Sequence, residues 1–205
     1  MRLTAALDDV LATRGHVRVL RALDALPEGL GVSARDIARR AEVAHNRASE
    51  VLSALTDIGL TRVQRAGRSD LYQLNRLHVL NRALHELFRH EAAVEVELRK
   101  FLRRRLSKLN VREAYIFGSV ARGESRADSD IDLAVVIDEP GPTAGERAEL
   151  DELAADVRER FGGRLGVHLG TKPLAARVRG RVGRDLWRRI AEEGIRLLPS
   201  RDSRG

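Results

Sequence analysis

The 205 residues predict an α+β chain of two modules joined by a long helix. Three observations lead there. Over residues 15 to about 74, apolar stripes of helical period give way to two short strand-like runs. Residues 77–109 contain neither proline nor glycine. Beyond Asn110 the period shortens, and brief apolar runs alternate with helical stretches. The expected division is one domain over 1–75, a connecting helix over 76–108, a second domain over 109–199 and a disordered tail over 200–205.

In the first module, Val17, Leu20, Leu23 and Leu26 form an amphipathic stripe that Pro27, Gly29 and Gly31 bring to an end. Ser33 stands three residues before Asp36, a pattern like a capping box, so a second helix starts there. After a break over 42–44, residues 45–58 carry Val51, Leu52, Leu55 and Ile58 on one face and stop at Gly59, a C-cap signal. Residues 60–63 and 71–74 read as strands joined through the polar tip 65–70. Helix, helix-turn-helix and then a two-stranded basic wing is an order that resembles the repressor-like winged-helix DNA-binding domains. The resemblance implies a third helix lying in the major groove of DNA, where Asn46, Arg47 and Ser49 meet base edges. It puts Arg65 and Arg68 of the wing on phosphate or the minor groove. The same architecture also serves as a protein-interaction or dimerisation module.

In the long helix, Leu77, Leu80, Leu84, Leu87, Val94, Leu98 and Phe101 follow steps of three and four, with Glu91 in the slot between Leu87 and Val94. Such a stripe suits a homodimer seam, or packing on the chain's own domains.

The second module carries the chemistry. A short apolar run ends at Phe117 in Gly118-Ser119, a tight turn leading into a short helix. A second strand follows, with Asp130 and Asp132 at its start. Positions i and i+2 of a strand point to one side, so the two carboxylates face one spot, and their repulsion is relieved by a cation between them. Ligands that are all oxygen favour magnesium or manganese (Mg2+ or Mn2+). The Gly118-Ser119 turn offers a phosphate tail its backbone N–H groups and the Ser119 hydroxyl. A triphosphate seated there, beside a carboxylate-held metal, is set for in-line displacement at the α-phosphorus.

Gly118-Ser119-x-Ala121-Arg122-Gly123 followed by Ser129-Asp130-Ile131-Asp132-Leu133 resembles the signature of the DNA polymerase β-type nucleotidyltransferases, in particular their small minimal members. The likeness runs from Leu109 to about Leu198 and implies a mixed β-sheet flanked by helices. It implies nucleotide binding by Gly118, Ser119 and Arg122, metal ligation by Asp130 and Asp132, and transfer of a nucleoside monophosphate from a nucleoside triphosphate to an acceptor. The pattern also calls for a third carboxylate on a later strand, where this chain has His168; no Asp or Glu lies between Phe161 and Arg184. An imidazole accepts a proton but is a poor magnesium ligand. Two outcomes follow: a DNA-binding nucleotidyltransferase whose site is Asp130, Asp132 and His168, or a transcription regulator whose second domain only senses a nucleotide.

Composition sets the outer bounds. Cysteine is absent, which excludes a disulfide scaffold, a thiol nucleophile and thiolate metal centres. The net charge of +7 is permissive for nucleic acid, although all basic residues but Lys100, Lys108 and Lys172 are arginines, a bias that genome base composition also produces. With no signal-like or membrane-spanning apolar run, the expected location is the cytoplasm.

Overall fold

The computed structural model describes residues 5–67, 69–124, 129–179 and 184–198. The chain forms two compact units, Met1–Ala92 and Ala93–Gly205. Arg68 and the tail 200–205 lie outside the described residues. No described helix is long and apolar enough to cross a membrane.

The first unit runs α1 (Ala6–Val10), α2 (Arg14–Asp24), β1 (Val32–Ser33), α3 (Ala34–Arg40), α4 (His45–Asp57), β2 (Thr61–Ala66) and β3 (Ser69–Leu74). Ser33 caps α3 by accepting from the Asp36 N–H at 3.2 Å and donating to the Asp36 carboxylate at 2.8 Å. Helix α4 ends in a Schellman turn: Leu60 N–H donates to the Leu55 carbonyl and Gly59 N–H to that of Thr56, with Gly59 at φ 76°. Leu20, Leu23, Ile37, Leu52 and Leu55 fill the core between the helices.

Strands β1, β3 and β2 make an antiparallel sheet in that order. The hairpin reaches further than its apolar residues indicate. Pairing continues to Ala66 opposite Ser69, so the strands run into the six residues 65–70 that the sequence reads as the tip. Five of the six residues of β2 are exposed, which is why hydrophobicity alone shortens it.

Helix α5 (Asn81–Leu106) begins four residues later than the stripe suggests. Polar side chains take the backbone donors first: Leu77 N–H donates to Asn75 Oδ1, and Leu80 N–H to His78 Nδ1. Its stripe divides. Leu84 and Phe88 belong to the first core, Leu98, Phe101, Leu102 and Leu106 to that of the second unit, and Leu77, Leu87 and Val94 are exposed. Glu91 pairs with Arg21 at 2.6 Å.

The second unit continues with β4 (Val111–Phe117), α6 (Gly118–Ala121), β5 (Ile131–Ile137), α7 (Ala144–Phe161), β6 (Leu165–Gly170), α8 (Leu174–Arg179), α9 (Arg184–Glu193) and β7 (Ile195–Arg196). The sheet is mixed, in the order β6-β5-β4-β7, with β5 and β6 parallel and the other pairs antiparallel. Strand alternation sorts its two faces. Ala114, Ile116, Leu133, Val135 and Leu165 pack with α5 and α7. Tyr115, Phe117, Ala134 and Val136 pack with Trp187 and Ile190 of α9.

Candidate active site

The α9 face of the sheet carries the motif residues. Phe117, the last residue of β4, pairs with Asp132 near the start of β5, so the turn after β4 and the acidic lead into β5 emerge side by side. Asp132 has the parity of Ala134 and Val136 and so points to that face. The parallel register sets Ala134 beside His168, which brings the imidazole to the same face.

Gly118 is required twice over. Its φ is 74°, a left-handed conformation that side-chain-bearing residues rarely adopt. A Cβ there would also stand 2.5 Å from Asp132 Oδ2. The turn and the carboxylate thus lie against each other. Across β6, Gly166 leaves ordinary van der Waals room beside Asp132 Oδ1.

His168 Nε2 lies 3.7 Å from Asp132 Oδ1, and its ring meets Phe117 edge-on with centroids 5.3 Å apart. Asp130 is 52% exposed and its ionic partner is Arg164 at 3.5 Å. Among the described residues no three His, Cys, Asp or Glu side chains converge on one metal position. The acid-rich end of β5 therefore offers two oxygen-bearing side chains, not a closed cage. That donor set fits magnesium or manganese, which is commonly held by one or two carboxylates together with substrate phosphates.

Arg122 is anchored. Its Nε donates to Glu124 at 2.8 Å and its Nη1 to Glu193 Oε2 at 2.8 Å, while Glu193 Oε1 accepts from Gly118 N–H at 3.2 Å. The Arg122 guanidinium holds the Glu193 carboxyl below the usual carboxylate range. Sequence reasoning missed Glu193, because its 75-residue separation from Gly118 leaves no spacing signal.

In the first unit, Asn46 is exposed on the first turn of α4, and Ser49 lines an open cleft of about 400 Å³ with Arg35, His45 and Tyr72. Arg65 is exposed near the hairpin tip, opposite Asp70. Arg47 is partly exposed and also bonded within the unit. It donates to Thr13 Oγ1 at 2.9 Å and to Glu50 at 3.0 Å, which fastens α4 to the N-cap of α2. Thr13 Oγ1 lies 2.9 Å from Nδ1 of the buried His16. Burial, and then the Arg47 charge, hold the His16 imidazole below its ordinary pKa.

Residues 96–170 match the family model described as a nucleotidyltransferase domain. Among solved structures, the chain is similar to a toxin-antitoxin crystallised with AMP-PNP, at 17% identity and TM-score 0.37, over 51% of this chain and 76% of that one. It is similar to a predicted DNA-binding transcriptional regulator from E. coli at 23% identity and TM-score 0.35, over 44% and 86%. A third likeness is to the homodimeric winged helix-turn-helix DNA-binding domain of a possible ArsR-family regulator from Mycobacterium bovis, at 28% identity and TM-score 0.29, over 47% and 88%. Likenesses this remote carry no function. Comparison with curated proteins gives no match.

Proposed function

We propose that the chain is a DNA-binding nucleotidyltransferase: the second unit binds a nucleoside triphosphate with Mg2+ or Mn2+ and passes a nucleoside monophosphate to an acceptor. The observation that carries this reading is the seating of Asp132 Oδ2 against Gly118, at a turn where only glycine fits. The Asp132 carboxylate therefore lies at the turn that Ser119 follows, and Ser119 brings a backbone N–H and a hydroxyl that suit a phosphate tail. Helix α6 is a single turn, so its dipole adds little and the local donors do the holding.

Asp130 and Asp132 would hold the metal, with Asp130 exchanging its loose, solvent-exposed pair with Arg164 for that ligand. When bound, the ion supplies charge neutralisation on the phosphates. Ser119 orients the tail. The acceptor's oxygen or nitrogen bonds to the α-phosphorus, the bond to the bridging oxygen breaks, and pyrophosphate departs. His168, beside Asp132, takes the acceptor's proton.

A specific observation also favours a second reading, a nucleotide sensor without turnover: an imidazole stands where the resemblance calls for an acid, and the described side chains form no three-ligand site. Incubation with radiolabelled nucleoside triphosphates, Mg2+ or Mn2+ and cell extract separates them. Label transfer that Asp130→Ala abolishes supports the enzyme; saturable binding without transfer supports the sensor.

For the first unit we propose a winged helix that contacts DNA through Asn46, Arg47, Ser49, Arg65 and Arg68, with Arg47 also tying α4 to Thr13. Exposure of Asn46 and of the hairpin supports it. The exposed Leu87 and Val94 support a homodimer through α5. Binding to the chain's own promoter region should weaken steeply with salt if phosphate contacts dominate. Salt-insensitive or absent binding would point to a protein-interaction module.

A further inference from the structure

Arg122 and Gly118 belong to the motif, but the side chain that joins them does not. Glu193 stands at the end of α9 and touches both: Oε1 accepts from Gly118 N–H at 3.2 Å, and Oε2 accepts from Arg122 Nη1 at 2.8 Å. Its side chain is 21% exposed. It is fixed from behind as well. A Cβ on the next residue, Gly194, would collide with the Ile190 carbonyl, so the backbone that follows Glu193 packs closely on the last turn of α9. Ile190 itself is buried in the core beneath the α9 face.

This contact has two consequences for a phosphate seat. The Gly118 N–H is held from the α9 side, which anchors the start of the turn that leads to Ser119. The guanidinium of Arg122, bound also to Glu124, is fixed next to the turn and not left to sample the rotamers of a long exposed side chain. At metal sites, partners that orient the ligating side chains change affinity or activity by about 10–100-fold when removed, and an orienting carboxylate here is expected on that scale.

We propose that Glu193 is a positioning residue of the triphosphate subsite, acting through Gly118 and Arg122 and not by touching the nucleotide. The proposal rests on the nucleotide-binding reading above. A carboxylate also repels a phosphate, so the sign of its effect is open to measurement, and the proposal commits to a net gain from orientation.

The test titrates the full chain, with Mn2+, against nonhydrolysable analogues of the four common nucleoside triphosphates and against the matching monophosphates. Glu193→Ala should weaken triphosphate binding by about tenfold or more while changing monophosphate binding less than about threefold, since only the longer tail reaches the turn. Introduced on an Arg122→Ala background, it should cost less than it does in the wild type, because only the Gly118 contact is then left to lose. Glu193→Gln, which keeps an acceptor for Gly118 N–H but loses the charge facing Arg122, should fall between wild type and alanine. It also serves if the alanine variant folds poorly.

Unchanged or tighter triphosphate binding by Glu193→Ala overturns the proposal. So do equal losses for both nucleotide classes, or losses that add fully in the double variant. Failure of the underlying reading looks different: the wild type then binds no triphosphate, and this assignment falls with it. If Asp132→Ala abolishes binding and Glu193→Ala leaves it intact, the nucleotide site stands and the role of Glu193 does not.

Discussion

Gly118 is the residue on which the site turns. Its positive φ and its contact with Asp132 make Gly118→Ala a double fault. The backbone term alone costs about 1–2 kcal/mol, and the methyl group must also displace the Asp132 carboxylate. Nucleotide binding should therefore fall by more than the stability loss accounts for, which calorimetry set beside a urea denaturation curve checks. His16 gives a pH dependence. Its imidazole is held below the ordinary value of 6.5 in the folded chain, so the unfolded chain takes up the proton first. Its contribution is complete above about pH 6.5 and declines as the pH falls below that value. The thermal midpoint of the wild type should drop more between pH 7 and 5.5 than that of His16→Gln.

At the scale of elements, the periodicity that marks α5 as a helix does not say which core each turn enters. Leu102 and Leu106 are wholly buried in the core of the second unit, whereas Leu87 of the stripe is exposed. Leu102→Ala should destabilise the second unit by about 2–5 kcal/mol through the cavity it leaves, and Leu87→Ala by less than about 1 kcal/mol; chemical denaturation measures both. The strand that carries Asp132 and the turn at Gly118 were legible in the sequence because an apolar run and a tight turn are local properties. Elements of few residues, namely α1, β1 and α8, were not, since each is held by neighbours distant in sequence and carries no period of its own. Glu193 escaped for the same reason. The bond from Arg47 to Thr13 was not legible either, because only the packing of α4 on α2 brings the two within reach.

At the scale of the molecule, a unit with a projecting hairpin and an exposed helix start shares its chain with a unit whose residues match a nucleotidyltransferase domain. The combination gives the functional account its two halves, which separate experiments can break independently. The nucleotide half is the more exposed to refutation, because it depends on one cluster of side chains at the mouth of β5. The most direct measurement is calorimetric titration of the full chain with nonhydrolysable nucleoside triphosphates and Mn2+, alongside Asp132→Ala. The account predicts saturable binding by the wild type and at least about a tenfold loss in the variant, equivalent to about 1.4 kcal/mol. Equal affinity in the two proteins, or no binding by the wild type, would contradict it.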